Sequence, residues 1–200
     1  MTTWVEPEGG RERGLEGLAK SFTQVLLNPV TFFEEAVSPG DQAPGLVFGM
    51  AVVLVAAGTR LALQPTDALA FPTAGWLRVV LTVALVVLLV TPAAIHALSA
   101  LQTLALVAVA PSRAGVSETV QVVAYAAAPC VATGLGVPVV TALAGLWAFA
   151  LLVVGTRVVH DLSWLRAVLA AVVPGVLAFG TGFGAWPAAQ TVATSLGLAL

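Results

Sequence analysis

The sequence predicts an all-α fold: a polytopic membrane helical bundle of about five transmembrane helices behind an amphipathic N-terminal segment. Three observations carry this expectation. First, no charged side chain occurs from Thr119 to Thr156, and the run is divided near its middle by Gly134-Leu135-Gly136-Val137-Pro138. Hydrocarbon tolerates only backbone whose polar groups are satisfied within the protein. A crossing takes about 20 apolar residues, so the run reads as two crossings joined by a tight turn. Second, hydrophobic residues make up 59% of the chain and charged residues 9%, with a mean hydropathy of +1.00. A soluble domain carries about 25% charged residues, so this stock cannot build a soluble surface. Third, the 8 basic and 10 acidic side chains fall into a few clusters, which marks water-facing segments between buried ones.

The elements follow in order. Residues 1–44 form a polar, interfacial N-terminal segment. Within it Leu15, Leu18, Phe22, Val25 and Leu26 recur at helical spacing, with Glu16, Lys20 and Gln24 interleaved. Asn28-Pro29 interrupts this helix, because proline restricts its predecessor and suits the first turn of a new one. Pro29 to Glu35 therefore reads as a second short helix. Its Phe32 and Phe33 either enter the headgroup zone or pack on the bundle. This arm is expected to be separable: deleting residues 14–36 should leave the bundle folded.

Residues 45–183 form the transmembrane domain. The first crossing runs from about Gly45 to Leu63, between Pro44 and Pro65. The second begins near Trp76. The uncharged stretch from Val79 to Ser112 is too long for one crossing and too short for two and a turn. It reads as one crossing to about His96, kinked at Pro92, then an apolar extension lying in the interface with Ser99, Gln102 and Thr103. The third crossing is Thr119 to Leu135, the fourth Pro138 to Thr156, and the fifth Leu165 to Phe183 with Pro174 inside it. Residues 184–200 are expected to be a weakly structured tail.

Charge sets orientation and excludes classes of partner. With the N-terminus inside, inner segments carry Arg11, Arg13, Lys20, Arg113, Arg157 and Arg166, and the outer side Arg60 and Arg78. This favours a cell-membrane protein, multi-pass, with a cytoplasmic N-terminus and an external C-terminus. The net charge of -2 and the absence of basic runs argue against nucleic acid. Membrane lipid is the expected partner, together with a protein partner or a second copy of the chain. Cys130 is the only cysteine, which excludes an internal disulfide. The first forty residues lack the pattern of a cleavable signal peptide, so the N-terminus is expected to stay attached.

Few residues suggest chemistry. His160-Asp161 is the one His/acid neighbour pair, but adjacent helical residues do not face each other, and a polar cap on the fourth helix is the simpler reading. His96, near the end of the second crossing, is a functional candidate by position. Ser99 or a carbonyl freed by Pro92 could equally satisfy it. Arg60 is expected to snorkel or to pair with Asp67. Tyr125 and Pro129 on the third helix, and Trp147 on the fourth, mark polar tips or kinks. No phosphate loop, nucleophile elbow, zinc motif or paired intramembrane carboxylate occurs. No catalytic, cofactor or metal site is therefore expected, and an enzyme is not the expected class. A small transporter or channel using His96, Arg60 and the Pro92 and Pro129 kinks is the alternative to a protein acting by contact.

The order of these features resembles the Yip family of membrane proteins, named for interaction with Ypt/Rab GTPases, and within it the prokaryotic, halophilic-archaeal members. The likeness rests on Asn28-Pro29 with Phe32-Phe33, the run from Pro39 to Gly45, His96, and the run from Arg113 to Gln121. Tyr125 with Pro129, Trp147, Gly155 and His160-Asp161 complete it. It spans about residues 15–183. The resemblance implies a five-crossing bundle with a cytoplasmic N-terminal segment. In eukaryotic members it also implies roles in vesicle traffic and membrane shaping, and those members carry a long soluble N-terminal region that is not expected in this chain. The resemblance supplies no catalytic or cofactor residues. It leaves Asn28, Pro29, His96, Tyr125, Pro129, His160 and Asp161 as the polar or kinking positions of interest.

Overall fold

The computed structural model describes residues 14–110 and 112–198, and every regular element among them is helical. Arg11 and Arg13, which enter the orientation argument, lie outside the described residues.

Helix α1 spans Leu15–Leu27 and α2 spans Pro29–Ala36. Asn28 closes the first by donating its backbone N–H to the Gln24 carbonyl (2.8 Å) and accepts from Phe32 N–H (2.9 Å) to open the second. Pro29, which has no N–H to give, occupies the first turn of α2, where none is required. Phe32, Phe33 and Ala36 are buried against the bundle while Glu34 and Glu35 face outward. The aromatics thus settle on protein rather than in headgroups. The arm shares the core with the bundle, to which Val25, Phe32, Phe33 and Ala36 belong.

Four helical stretches are long and apolar enough to cross a membrane: Ala43–Leu63, Gly75–Val109, Pro138–Val159 and Trp164–Gly182. The first is α3, with Pro44 in its opening turn. The second comprises α4 (Gly75–Leu85), a π-helical segment (Val86–Val90) and α5 (Thr91–Val109). Pro92 removes a donor from the helical ladder, and the π segment just before it absorbs the mismatch, with Thr91 Oγ1 donating to the Val86 carbonyl (2.8 Å). The second helical stretch does not stop at His96, and residues 98–109 extend it. The helix continues to Val109, with Ser99, Gln102 and Leu106 wholly buried among neighbouring helices. Gln102 Nε2 donates to Thr156 Oγ1 of a neighbouring helix there (2.6 Å).

The third predicted crossing is a broken element. Helix α6 (Val116–Ala126) gives way after Ala127 to a 3₁₀ stretch, Ala128–Leu135, ending at Gly136 in the left-handed conformation (φ 68°). Pro129 ends the α-helical ladder. Irregular backbone survives in a membrane where protein satisfies it; the break itself falls in a buried run, Thr119 to Ala128, and of the 3₁₀ stretch Ala128, Cys130 and Gly134 are buried while Leu135 is exposed. Gly134 lets this stretch lie directly on the Ala56 carbonyl of α3, where a Cβ would collide.

Helix α7 spans Pro138–Val159, and α8 (Trp164–Gly175) runs into a second π-helical segment, Val176–Gly182, just after Pro174. The final residues differ from expectation. Instead of a weakly structured tail, Ala185–Ser195 form helix α9, laid against α7 with Ala185 seated over Gly145. Its Ala, Trp, Thr and Val content is modestly apolar, and the missing Cβ of Gly145 provides the close contact that holds it. Leu54, Leu88, Leu143, Leu146, Leu169 and Val173 are exposed around the bundle. So large an apolar surface is tolerated only where lipid is the solvent.

Candidate functional site

The residues of interest are brought together chiefly where the arm meets the bundle. Tyr125, wholly buried on α6, receives the edge-on rings of Phe32 (centroids 4.9 Å apart, 87°) and Phe48 (5.1 Å, 68°). Phe33 stands edge-on to Phe32 (5.6 Å), and Phe22 of α1 stacks near Phe48 (6.4 Å). Such pairs contribute about 0.5–1.5 kcal/mol each beyond their burial. Gly155 makes room for this lock: a Cβ there would lie 2.8 Å from two Phe33 ring carbons and 2.9 Å from Val122.

A polar clamp completes the junction. Gln121 Nε2 donates to the Ser38 carbonyl (2.7 Å), and Ser38 N–H donates to Gln121 Oε1 (3.0 Å). One buried amide therefore satisfies both backbone groups of the residue linking α2 to α3. Gly45 lets α3 approach, since a Cβ there would sit 2.8 Å from the Gln121 Cα. Sequence reasoning assigned no role to Gln121, Ser38 or Phe48. A glutamine opening an otherwise apolar helical run was the one available signal.

The remaining positions are dispersed. Asn28 is exposed at the α1–α2 joint with Pro29 half-buried beside it, and Pro129 is half-buried in the 3₁₀ stretch. His160 and Asp161 do not form a unit: His160 is buried, whereas Asp161 is exposed. Asp161 takes a positive φ of 49°, and its N–H donates to the Val158 carbonyl (3.4 Å), while Leu162 N–H donates to Arg157 (3.0 Å). Paired bonds of this kind with a left-handed residue form the Schellman stop of a helix, so the pair ends α7, as a capping role requires. His160 Nε2 lies 3.4 Å from Thr119 Oγ1, and its Nδ1 has no hydrogen-bond partner among the described residues. Burial, with the Arg113 charge adding to it, pushes its pKa down to about 4, so the imidazole is neutral at pH 7.

His96 is exposed, and its Nδ1–H donates to the carbonyl of Pro92 itself (2.7 Å) rather than to one the proline frees. Arg60 pairs with Asp67, Nε to Oδ2 at 2.7 Å. Cys130 is a buried free thiol. Among the described residues no three His, Cys, Asp or Glu side chains gather as a metal site would require. The arrangement suits fixing a surface in place: a rigid arm whose charged face, with Glu16 and Lys20 paired at 2.7 Å, is carried outward by a buried aromatic and amide junction.

No curated protein and no solved structure matches the chain. A family profile described as the Yip1 domain matches residues 23–185, a span that opens within α1 and closes at the start of α9. With that match over most of its length, and with four helices able to cross a membrane, the chain is a multi-pass membrane protein belonging to the Yip1-domain family.

Proposed function

We propose that the chain is a non-enzymatic protein of the cell membrane that acts by contact, presenting its N-terminal arm to a protein partner at the cytoplasmic face while lipid surrounds the bundle. The observation supporting this reading is the junction itself. Buried Phe32, Phe33 and Gln121 hold α2 so that Thr31, Glu34 and Glu35 point away from the bundle. A surface held this rigidly loses little entropy when a partner docks. The N-in, C-out orientation rests on the arginine and lysine distribution, and the prokaryotic affiliation rests on the resemblance of residues alone.

The test is site-specific photo-crosslinking in native membranes from position 31, on the exposed side of α2. A discrete protein adduct is expected, and E34K with E35K should abolish it without changing the thermal unfolding of the bundle. Adducts to lipid alone, or an adduct indifferent to both charge reversals, would overturn the reading. Transport gains no comparable support, because His96 is tied to Pro92 and Arg60 to Asp67 rather than to a shared path.

A further inference from the structure

Two cavities adjoin inside the transmembrane bundle. One, about 410 Å³, is almost entirely apolar and is walled by Gly49, Ile95, Ala124 and Phe179. The other, about 530 Å³, is more polar and holds Arg60, Thr133, Thr141, Thr181 and Thr191. They share Val53, Val86, Gly182 and Phe183, so they form one cleft that changes from oily to polar along its length. Small side chains create its width, Gly49, Ala94, Ala124 and Gly182 standing where larger residues would close it.

Three features fit one kind of occupant. The cleft follows α3 from Gly49 to Arg60, a rise of about 16 Å at 1.5 Å per residue, which is close to half of a hydrocarbon core about 30 Å thick. That is the depth of one leaflet. The polar end also carries suitable groups. Asp67 holds Arg60 by its Nε, and among the described residues no bond to its Nη groups is present, so the guanidinium fork can reach a phosphate. Thr133, Thr181 and Thr191 line this end and donate their hydroxyl hydrogens to carbonyls of their own helices, so what their oxygens have left to offer is acceptance from hydroxyl or ammonium donors. Finally, both π-helical segments among the described residues supply walls, Val86 and Val90 from one and Leu177, Ala178, Phe179, Thr181 and Gly182 from the other. Such segments are frequent at functional sites.

We infer that this cleft seats one phospholipid drawn from the leaflet on the Arg60 side, its phosphate at Arg60 and an acyl chain reaching toward Gly49. An apolar cleft open to the bilayer fills with hydrocarbon, and the polar end selects a headgroup rather than a bare chain. The site deepens the lipid contact expected of a membrane bundle and is independent of the arm's partner surface, since neither Val53 nor Arg60 belongs to the arm.

The experiment uses the full chain purified in mild detergent and washed extensively, with bound phosphorus and extracted lipid measured per chain. Wild type is expected to retain one phospholipid. Val53→Phe, placed at the junction of the two halves, should abolish retention. Arg60→Gln should weaken competition-measured binding of a fluorescent phospholipid by about tenfold or more, as losing a charged hydrogen bond does, while leaving binding of the equivalent diacylglycerol unchanged. Thermal unfolding checks that each variant is folded, and Ala57→Leu, which narrows the polar half, replaces Val53→Phe if that variant is not. Retention of phospholipid by a folded cleft-filled variant at the wild-type level overturns the proposal, as does equal loss of phospholipid and diacylglycerol in Arg60→Gln. The photo-crosslink from the arm should persist in all three variants, so failure of the lipid site and failure of the partner surface are read separately.

Discussion

Replacing Gln121 by leucine should free the arm without dismantling the bundle. The side chain is wholly buried and holds Ser38 by two bonds, 2.7 Å to its carbonyl and 3.0 Å from its N–H. Leucine fills much the same volume and makes neither bond. Two backbone groups then lose their partners, each at about 1–3 kcal/mol when buried. The Ser38 link is only partly buried, so water recovers part of the loss, and the pair should cost about 2–3 kcal/mol. If the cost appears as local opening, the population of the opened arm rises by about 30- to 150-fold. Hydrogen exchange of residues 29–42 in detergent micelles reads this directly, with residues 144–156 of α7 as the internal reference. Faster exchange confined to the arm supports a latch at Gln121. Wild-type protection of residues 29–42 in a folded Gln121→Leu protein would refute it, as would equal acceleration in the arm and α7.

Two other outcomes follow from the same junction and its neighbour. Phe33→Ala leaves a hole against Gly155 and Val122 and should destabilise the protein by about 3–5 kcal/mol, seen as a lowered midpoint of thermal unfolding in detergent. His160 ordinarily titrates near 6.5 but is held to about 4 in the folded chain. As pH falls from 6.5 toward 4, the unfolded chain takes up a proton that the folded chain refuses. Stability should therefore decline through that window by on the order of 2–3 kcal/mol and stay level above it. Unfolding measured across that range should show this slope in the wild type and a flatter one in His160→Gln.

The crossings were largely legible in the sequence because hydrocarbon imposes a length and a composition that a linear pattern can display. Proline and glycine marked the breaks at Asn28-Pro29, Pro129 and Gly136. The Arg60–Asp67 pair and the helix-ending role of His160-Asp161 were also readable, since both depend on neighbours close in the chain. Less legible was the second helix beyond His96. Its continuation depends on Gln102 meeting Thr156 of another helix, and an apolar run looks the same in an interface as in a bundle. The C-terminal helix α9 escaped for a similar reason: its weak hydrophobicity is supplemented by a notch at Gly145 far back in the sequence.

By itself, then, the sequence determined that lipid solvates this chain, roughly where it crosses, and which residues interrupt its helices. Those properties follow from local backbone chemistry and the free energy of transferring side chains into hydrocarbon. Only the tertiary structure decided that the arm is part of the core, that α6 breaks where its residues are buried, and that two π-helical segments line one cleft. Each of these depends on groups such as Ser38 and Gln121 meeting across long chain separations, and close packing, which no local pattern encodes, selects such meetings.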